Sequence, residues 1–140
     1  MSRSLSFDLH RLTAQLDRSA DRILRADSGL SYRRFRILLI VGRLGPATQR
    51  AVAEELGVSE PSASRMTRVL AETGLLAVGP DPSGGNRKKL SLTTEGAEVV
   101  ERCRTLLDSR FSDLVQRSGV SLDQYAIDTQ RLLDTLRMSP

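Results

Sequence analysis

The residues with the most chemical potential lie between positions 59 and 89. Ser59, Ser62, Ser64, Arg65 and Arg68 fall at spacings that, on a helix, put hydroxyls and guanidinium groups on an exposed side. Small hydroxyls allow close approach to a polar surface, and a guanidinium can pair bidentately with guanine or hold a phosphate. Downstream, Asn86, Arg87, Lys88 and Lys89 follow Gly84-Gly85, with Asp81 the one acid nearby. Two missing side chains there let the backbone come close to a sugar-phosphate wall. Taken alone, a helix face with Arg and Ser is as often plain solvated surface, and a basic turn can be incidental. In this order the two make a coherent pair for duplex DNA. One is a rod for the major groove, where base edges show distinct donor and acceptor patterns. The other is a flexible basic finger for the adjacent minor groove.

No catalytic constellation competes with that reading. Cys103 and His10 are the only cysteine and the only histidine, so neither an intramolecular disulfide nor a Cys/His metal cluster can form. No nucleophile accompanies a base, and no glycine-rich phosphate loop follows a strand. The chain is expected to be no enzyme and to need no cofactor or metal. A lone Cys103 could serve as a redox sensor, but it shares an apolar stripe with Val100 and Leu107, the setting of a packed, inert thiol. His10, beside Arg11 and off the neighbouring leucine stripe, suits a solvated or interface position. A net charge of +4 and an isoelectric point near 10.0 permit a polyanionic partner without specifying one. The longest apolar run, Ile37 to Val41, is far shorter than the ~20 residues a membrane span needs, and the first residues lack a signal-peptide pattern. A cytoplasmic protein with no membrane partner is expected.

The elements that must hold these residues are mostly helical. The 140 residues suit one domain with helical extensions, and 4% aromatics with no Trp leave packing to Leu, Val, Ile and Ala. Apolar residues recur helically from Leu5 to about Ala26, in one narrow stripe interrupted at Ser19-Ala20. Ser31 can cap a second helix to about Leu44, apolar around most of its circumference and therefore central, with Gly45-Pro46 as its stop. Thr48 starts a short helix that Gly57 ends; Ser59 caps the next, with Pro61 tolerated in its first turn. That helix is expected to turn Ala63, Met66, Val69 and Leu70 inward, to expose Thr67 with the hydroxyls and arginines, and to end at Gly74. Leu75–Val78 and Arg87–Thr93 read as hairpin strands around a tip of Gly, Pro, Asp and Asn. Thr93 or Thr94 then caps a long helix broken at Ser118-Gly119. The last helix begins with a capping box of Ser121 and Gln124, with Val120 placed to staple onto Tyr125.

Helix, glycine turn, helix and hairpin in succession carry a resemblance. The stretch Thr48-Gln49-Arg50-Ala51-Val52-Ala53-Glu54-Glu55-Leu56-Gly57-Val58-Ser59 looks like the first helix and turn of bacterial winged helix-turn-helix regulators. Leu70-Ala71-Glu72-Thr73-Gly74-Leu75-Leu76, then Asp81-Pro82, then Leu92-Thr93-Thr94-Glu95-Gly96, is similar to the MarR family. The specific core spans about residues 48–96; the flanking helices match in number and spacing.

That resemblance implies a mainly α fold with a small β-hairpin. A winged helix-turn-helix module of about residues 30–96 would be flanked by dimerisation helices at about 5–26 and 97–138, all within a single domain, 1–140. It implies a homodimer, in which each subunit offers one module to half of a pseudo-palindrome. Ser62, Ser64, Arg65 and Arg68 would face the major groove, Thr48 and Gln49 would sit near phosphate, and the wing tip would reach the minor groove. The family's wing usually carries an Asp-x-Arg pair, with the arginine seven residues before the Thr of Leu-Thr. Here Asn86 stands at that place, Gly84 replaces the acid, and Arg87 comes one residue late. Either Arg87 takes the minor-groove role through a shifted turn or this wing grips less.

The resemblance further implies an effector cleft between dimer helices and winged module, with Tyr32, Arg36 and His10 as candidates; core or surface roles are the alternative. The leucine stripes of the terminal helices exceed what one small domain can cover, which favours burial against a second copy over packing within the subunit. The leading function is a sequence-specific DNA-binding transcription regulator, a repressor responsive to a small-molecule ligand. Two readings compete with it: a nucleoid-type binder of low specificity, and a protein-interaction module that kept the fold and lost DNA binding.

Overall fold

The computed structural model describes residues 4–81, 83–84 and 88–139. Among them the order is α1 (Leu5–Ser28), α2 (Tyr32–Leu44), α3 (Gln49–Leu56), α4 (Glu60–Glu72), β1 (Leu76–Pro80), β2 (Lys88–Leu92), α5 (Thr94–Ser118) and α6 (Leu122–Met138). The chain divides into two compact units, Met1–Cys103 and Arg104–Pro140.

In the first unit hydroxyl caps set the helix starts, Ser31 and Ser59 where they are expected and Thr48, expected to start α3, as its cap one residue before it. Ser31, Thr48 and Ser59 each accept a hydrogen bond from the backbone N–H three residues on, so one donor of each first turn is satisfied. The core gathers on α2, whose Phe35, Ile37, Leu38, Ile40 and Val41 are buried on several sides. It is completed by Leu24 of α1, Val52 and Leu56 of α3, Leu70 of α4 and Leu90 of β2. A helix surrounded on this scale is central, as its near-continuous apolar circumference predicts.

The hairpin is antiparallel, with Leu76 opposite Leu92 and Pro80 opposite Lys88. Its first strand starts one residue later than the sequence suggests because Leu75 serves the helix before it. The Leu75 N–H donates to the Leu70 carbonyl at 2.9 Å and closes the end of α4. Ala47 adds a one-residue third strand, exchanging both backbone hydrogen bonds with Leu90 at 2.9 and 2.7 Å. A single paired residue leaves no alternation to read, so the sequence carries no sign of it.

Thr93 joins the hairpin to α5. Its hydroxyl donates to the Gly74 carbonyl at 2.6 Å and accepts from the Gly96 N–H at 2.9 Å, capping α5 while pinning the end of the wing to the end of α4. A Cβ at Gly96 would run into the Leu75 carbonyl oxygen, so only glycine lets α5 start this close. The Leu-Thr-Thr-Glu-Gly stretch thus has a packing reason.

The second unit holds the end of α5 and all of α6. Ser121 caps α6 through the Gln124 N–H, but the capping box is half formed, because the Gln124 amide turns outward to Asp128 at 3.0 Å. Val115 is buried, Tyr125 is half-buried, and α6 has no buried residue.

Candidate nucleic-acid interface

Gly57 makes the turn between α3 and α4. Its φ of +75° lies where side chains are strained, and its N–H closes α3 on the Ala53 carbonyl at 2.9 Å. The chain then enters α4 through the Ser59 cap, with Glu60 at the positive helix end and Pro61 in the first turn. Ala63, Thr67 and Leu70 form the buried row of α4, and Met66 and Val69, expected inward, are half-buried flanks. Arg65 and Arg68 project outward with Ser59, while Ser62 and Ser64 are half-buried beside them. Among the described residues neither guanidinium has an ion-pair or hydrogen-bond partner. By contrast, Arg43 of α2 is bonded to Glu55 at 2.7 Å and Arg50 of α3 to Glu54 at 3.3 Å. Within the α3–α4 pair and the Arg43 contact beside it, the unpaired guanidinium groups among the described residues are thus those of α4.

Thr67 corrects the expectation of exposure: it is 1% exposed. Its spacing from Ala63 and Leu70, four and three residues, already marked the inward row; its residue type pointed the other way. The Gln49 side chain donates to the Thr67 hydroxyl at 2.8 Å, and that hydroxyl also lies 3.1 Å from the Ser64 carbonyl, which it can donate to. The Gln49 amide, expected near phosphate, is thus engaged between α3 and α4. At this helix start the Thr48 hydroxyl takes the Ala51 N–H, leaving the Gln49 and Arg50 N–H groups without a partner among the described residues.

At the wing, Lys88 is exposed and Lys89 half-buried at the base of β2. Asn86 and Arg87 lie outside the described residues. Asp81 organises the start of the tip, accepting from the Ser83 N–H at 2.9 Å and the Ser83 hydroxyl at 2.7 Å.

Tyr32 and Arg36 line an open groove of about 540 Å³ together with Asp17, Arg18, Asp21, Arg22 and Arg33. His10 is exposed on α1 and does not line it. The Tyr32 N–H donates to Asp21 at 2.9 Å and the Arg25 guanidinium bonds the same carboxyl at 2.8 Å. These bonds, the backbone one foremost, hold Asp21 below the usual carboxylate range. Burial, with the Asp17 carboxylate nearby, pushes the Tyr32 phenol up. Arg18, Arg22, Arg33 and Arg36 have no ion-pair partner among the described residues, which leaves the groove cationic. Sequence reasoning missed three of these four arginines; only their clustering across two helices shows a site.

Cys103 is buried, with the Ser28 hydroxyl 3.9 Å from its sulfur, and burial pushes its thiol up. That is the environment of an unreactive thiol.

Residues 28–85 match the sequence profile of the MarR family. No curated protein matches the sequence. Solved structures share the fold over almost the whole chain. A mutant MarR from E. coli is 21% identical with a TM-score of 0.81, covering 97% of this chain and 98% of its own. The transcriptional regulator BldR from Sulfolobus solfataricus is 17% identical with a TM-score of 0.78, covering 94% and 93%. MepR from S. aureus in complex with DNA is 21% identical with a TM-score of 0.72, covering 96% and 99%.

Proposed function

Starting from residues 28–85 as a MarR-family segment, we propose that this chain is a sequence-specific regulator of transcription that binds double-stranded DNA as a homodimer. The observation that carries the reading is the outward face of α4, where Arg65 and Arg68 stand unpaired among the described residues, beside Ser62 and Ser64. Arginines on such a face reach base edges or phosphates, and the half-buried serines keep the helix slim enough to approach the groove floor. Thr48 and the free N–H groups of Gln49 and Arg50 meet phosphate at the start of α3. Lys88, with Asn86 and Arg87 beyond the described residues, carries positive charge to the adjacent minor groove. A MepR–DNA complex of the same fold supports this assignment.

The dimer is supported by large apolar side chains left in water: Leu5 at 72% exposure and Phe7 on α1, and Leu132 and Leu136 on α6. Two copies related by a twofold axis would present their α4 helices to half-sites about one helical turn apart, on a pseudo-palindromic operator. The cationic groove at Tyr32 and Arg36 suits a small organic anion. A ligand preferring a wrong spacing of the two α4 helices would lower DNA affinity by population shift, which is how a repressor is released.

Charge reversal tests the DNA assignment. Arg65→Glu is expected to weaken binding to a selected duplex at least about a hundredfold, since it removes one specific contact and adds a repulsive charge. Unchanged binding by the folded variant contradicts the site. Equal affinity of the parent for selected and random duplex, lost on adding salt, promotes the nucleoid-type reading.

A further inference from the structure

We infer that Gln49 and Thr67 are a positioning pair, which fixes the register of α4 against the start of α3 and thereby sets how well the protein discriminates among DNA sequences. The inference rests on the DNA-binding reading above. Thr67 is the only buried polar side chain among the described residues, and its hydroxyl is fully used. It accepts from the Gln49 Nε2 at 2.8 Å and has two acceptors for its proton, the Ser64 carbonyl and the Gln49 Oε1, each at 3.1 Å. Stability alone does not call for this arrangement. Valine has the shape of threonine, and burying it needs no partner, whereas a buried hydroxyl must be matched or it costs its desolvation. What a hydrogen bond adds over apolar contact is direction and distance.

The pair sits where direction matters. Gln49 is the first residue of α3, whose free N–H groups meet phosphate in the proposed complex. Thr67 lies in the middle of α4, between Arg65 and Arg68, and its bond to the Ser64 carbonyl ties it to the turn that carries a groove-facing serine. A rigid link between the phosphate-gripping end and the base-reading helix holds both contacts in one register. Apolar packing alone would let α4 roll or slide by tenths of an ångström. Bidentate arginine contacts tolerate such shifts poorly, while phosphate contacts tolerate them well. The pair therefore acts on specificity more than on overall affinity.

The experiment compares the full-length parent with Thr67→Val, Thr67→Ser and Gln49→Met. Each is titrated with its best selected duplex and with a random duplex of equal length, alongside thermal melting and amide hydrogen exchange. Thr67→Val is expected to cut the specific-to-random affinity ratio at least fivefold without lowering the melting temperature. Thr67→Ser, which keeps the hydroxyl, should restore most of the ratio, and Gln49→Met should lose it as Thr67→Val does. Amides of α3 should exchange at least tenfold faster in Thr67→Val while those of α2 are unchanged. An unchanged ratio in folded Thr67→Val, or an equal loss in Thr67→Ser, overturns the pairing role. If the parent shows no sequence preference, the DNA reading fails and the exchange rates decide: unaltered α3 protection overturns the positioning pair as well.

Discussion

The winged module and the terminal helices differ in how they spend their leucines. In the module, Leu38, Leu70 and Leu90 are covered by their own chain, and α2 is wrapped by its neighbours, Leu24 of α1 among them. On the terminal helices, Leu5, Leu132 and Leu136 are at 60% exposure or more, and α6 covers none of its own residues. Both regions have helical apolar periodicity, so the pattern alone does not separate them. The difference lies in the amount of chain available to cover each stripe. With Leu24 of α1 the module's core closes within one chain; the start of α1 and the face of α6 keep apolar side chains exposed, which suits another copy.

The sharpest way to break that contrast is to cut into each region in turn. Leu70→Ala should cost about 3 kcal/mol of stability, as a large-to-small change in a covered core does, and the cost should not depend on protein concentration. Melting measured over a wide concentration range checks this, and a strongly concentration-dependent loss would mean that the module leans on a partner. Glutamates at both Leu132 and Leu136 should leave the module folded, turn the proposed dimer into a monomer in sedimentation, and weaken operator binding at least about a hundredfold through lost bivalency. A variant that stays dimeric with full affinity places the interface elsewhere.

A smaller effect is expected at the start of α4. Ser59→Ala removes the cap that accepts from the Ser62 N–H and should destabilise by about 1 kcal/mol, read by chemical denaturation. The smallest is at Cys103, whose thiol is pushed up by burial. A raised pKa favours folding fully below the ordinary thiol value, and that contribution is lost as pH rises through the folded value. Iodoacetamide at mildly alkaline pH should therefore label the unfolded chain and spare the native one. Equal labelling would show an accessible thiolate.

Most of the fold is legible in the sequence because local chemistry and tertiary packing agree. Ser31, Ser59 and Ser121 cap the helices at which they are expected, Thr48 stands at the expected start of α3, and Gly57 and Gly119 take the left-handed backbone that the breaks require. The misses fall where two signals disagree. Thr67 has the spacing of a core residue and the chemistry of a surface one, and spacing wins because Gln49 reaches across to satisfy the hydroxyl. Gln124 has the spacing of a capping box, yet its amide has a carboxylate within reach at Asp128. Ala47 pairs with Leu90 through backbone alone, which no side chain advertises. The cationic groove draws on residues 17 to 22 and 32 to 36, and only the fold brings those stretches together.

Selection of bound sequences from random duplex DNA, at near-physiological salt and with the full-length chain, tests whether two α4 helices read DNA together. Enrichment of a twofold-symmetric motif is expected, with half-sites about 10–10.5 bp apart, centre to centre, one turn of the duplex. Enrichment lost in Arg65→Glu would tie that motif to α4. A pool that stays random while the protein binds it, or a motif without symmetry, would contradict a dimer reading DNA through paired α4 helices.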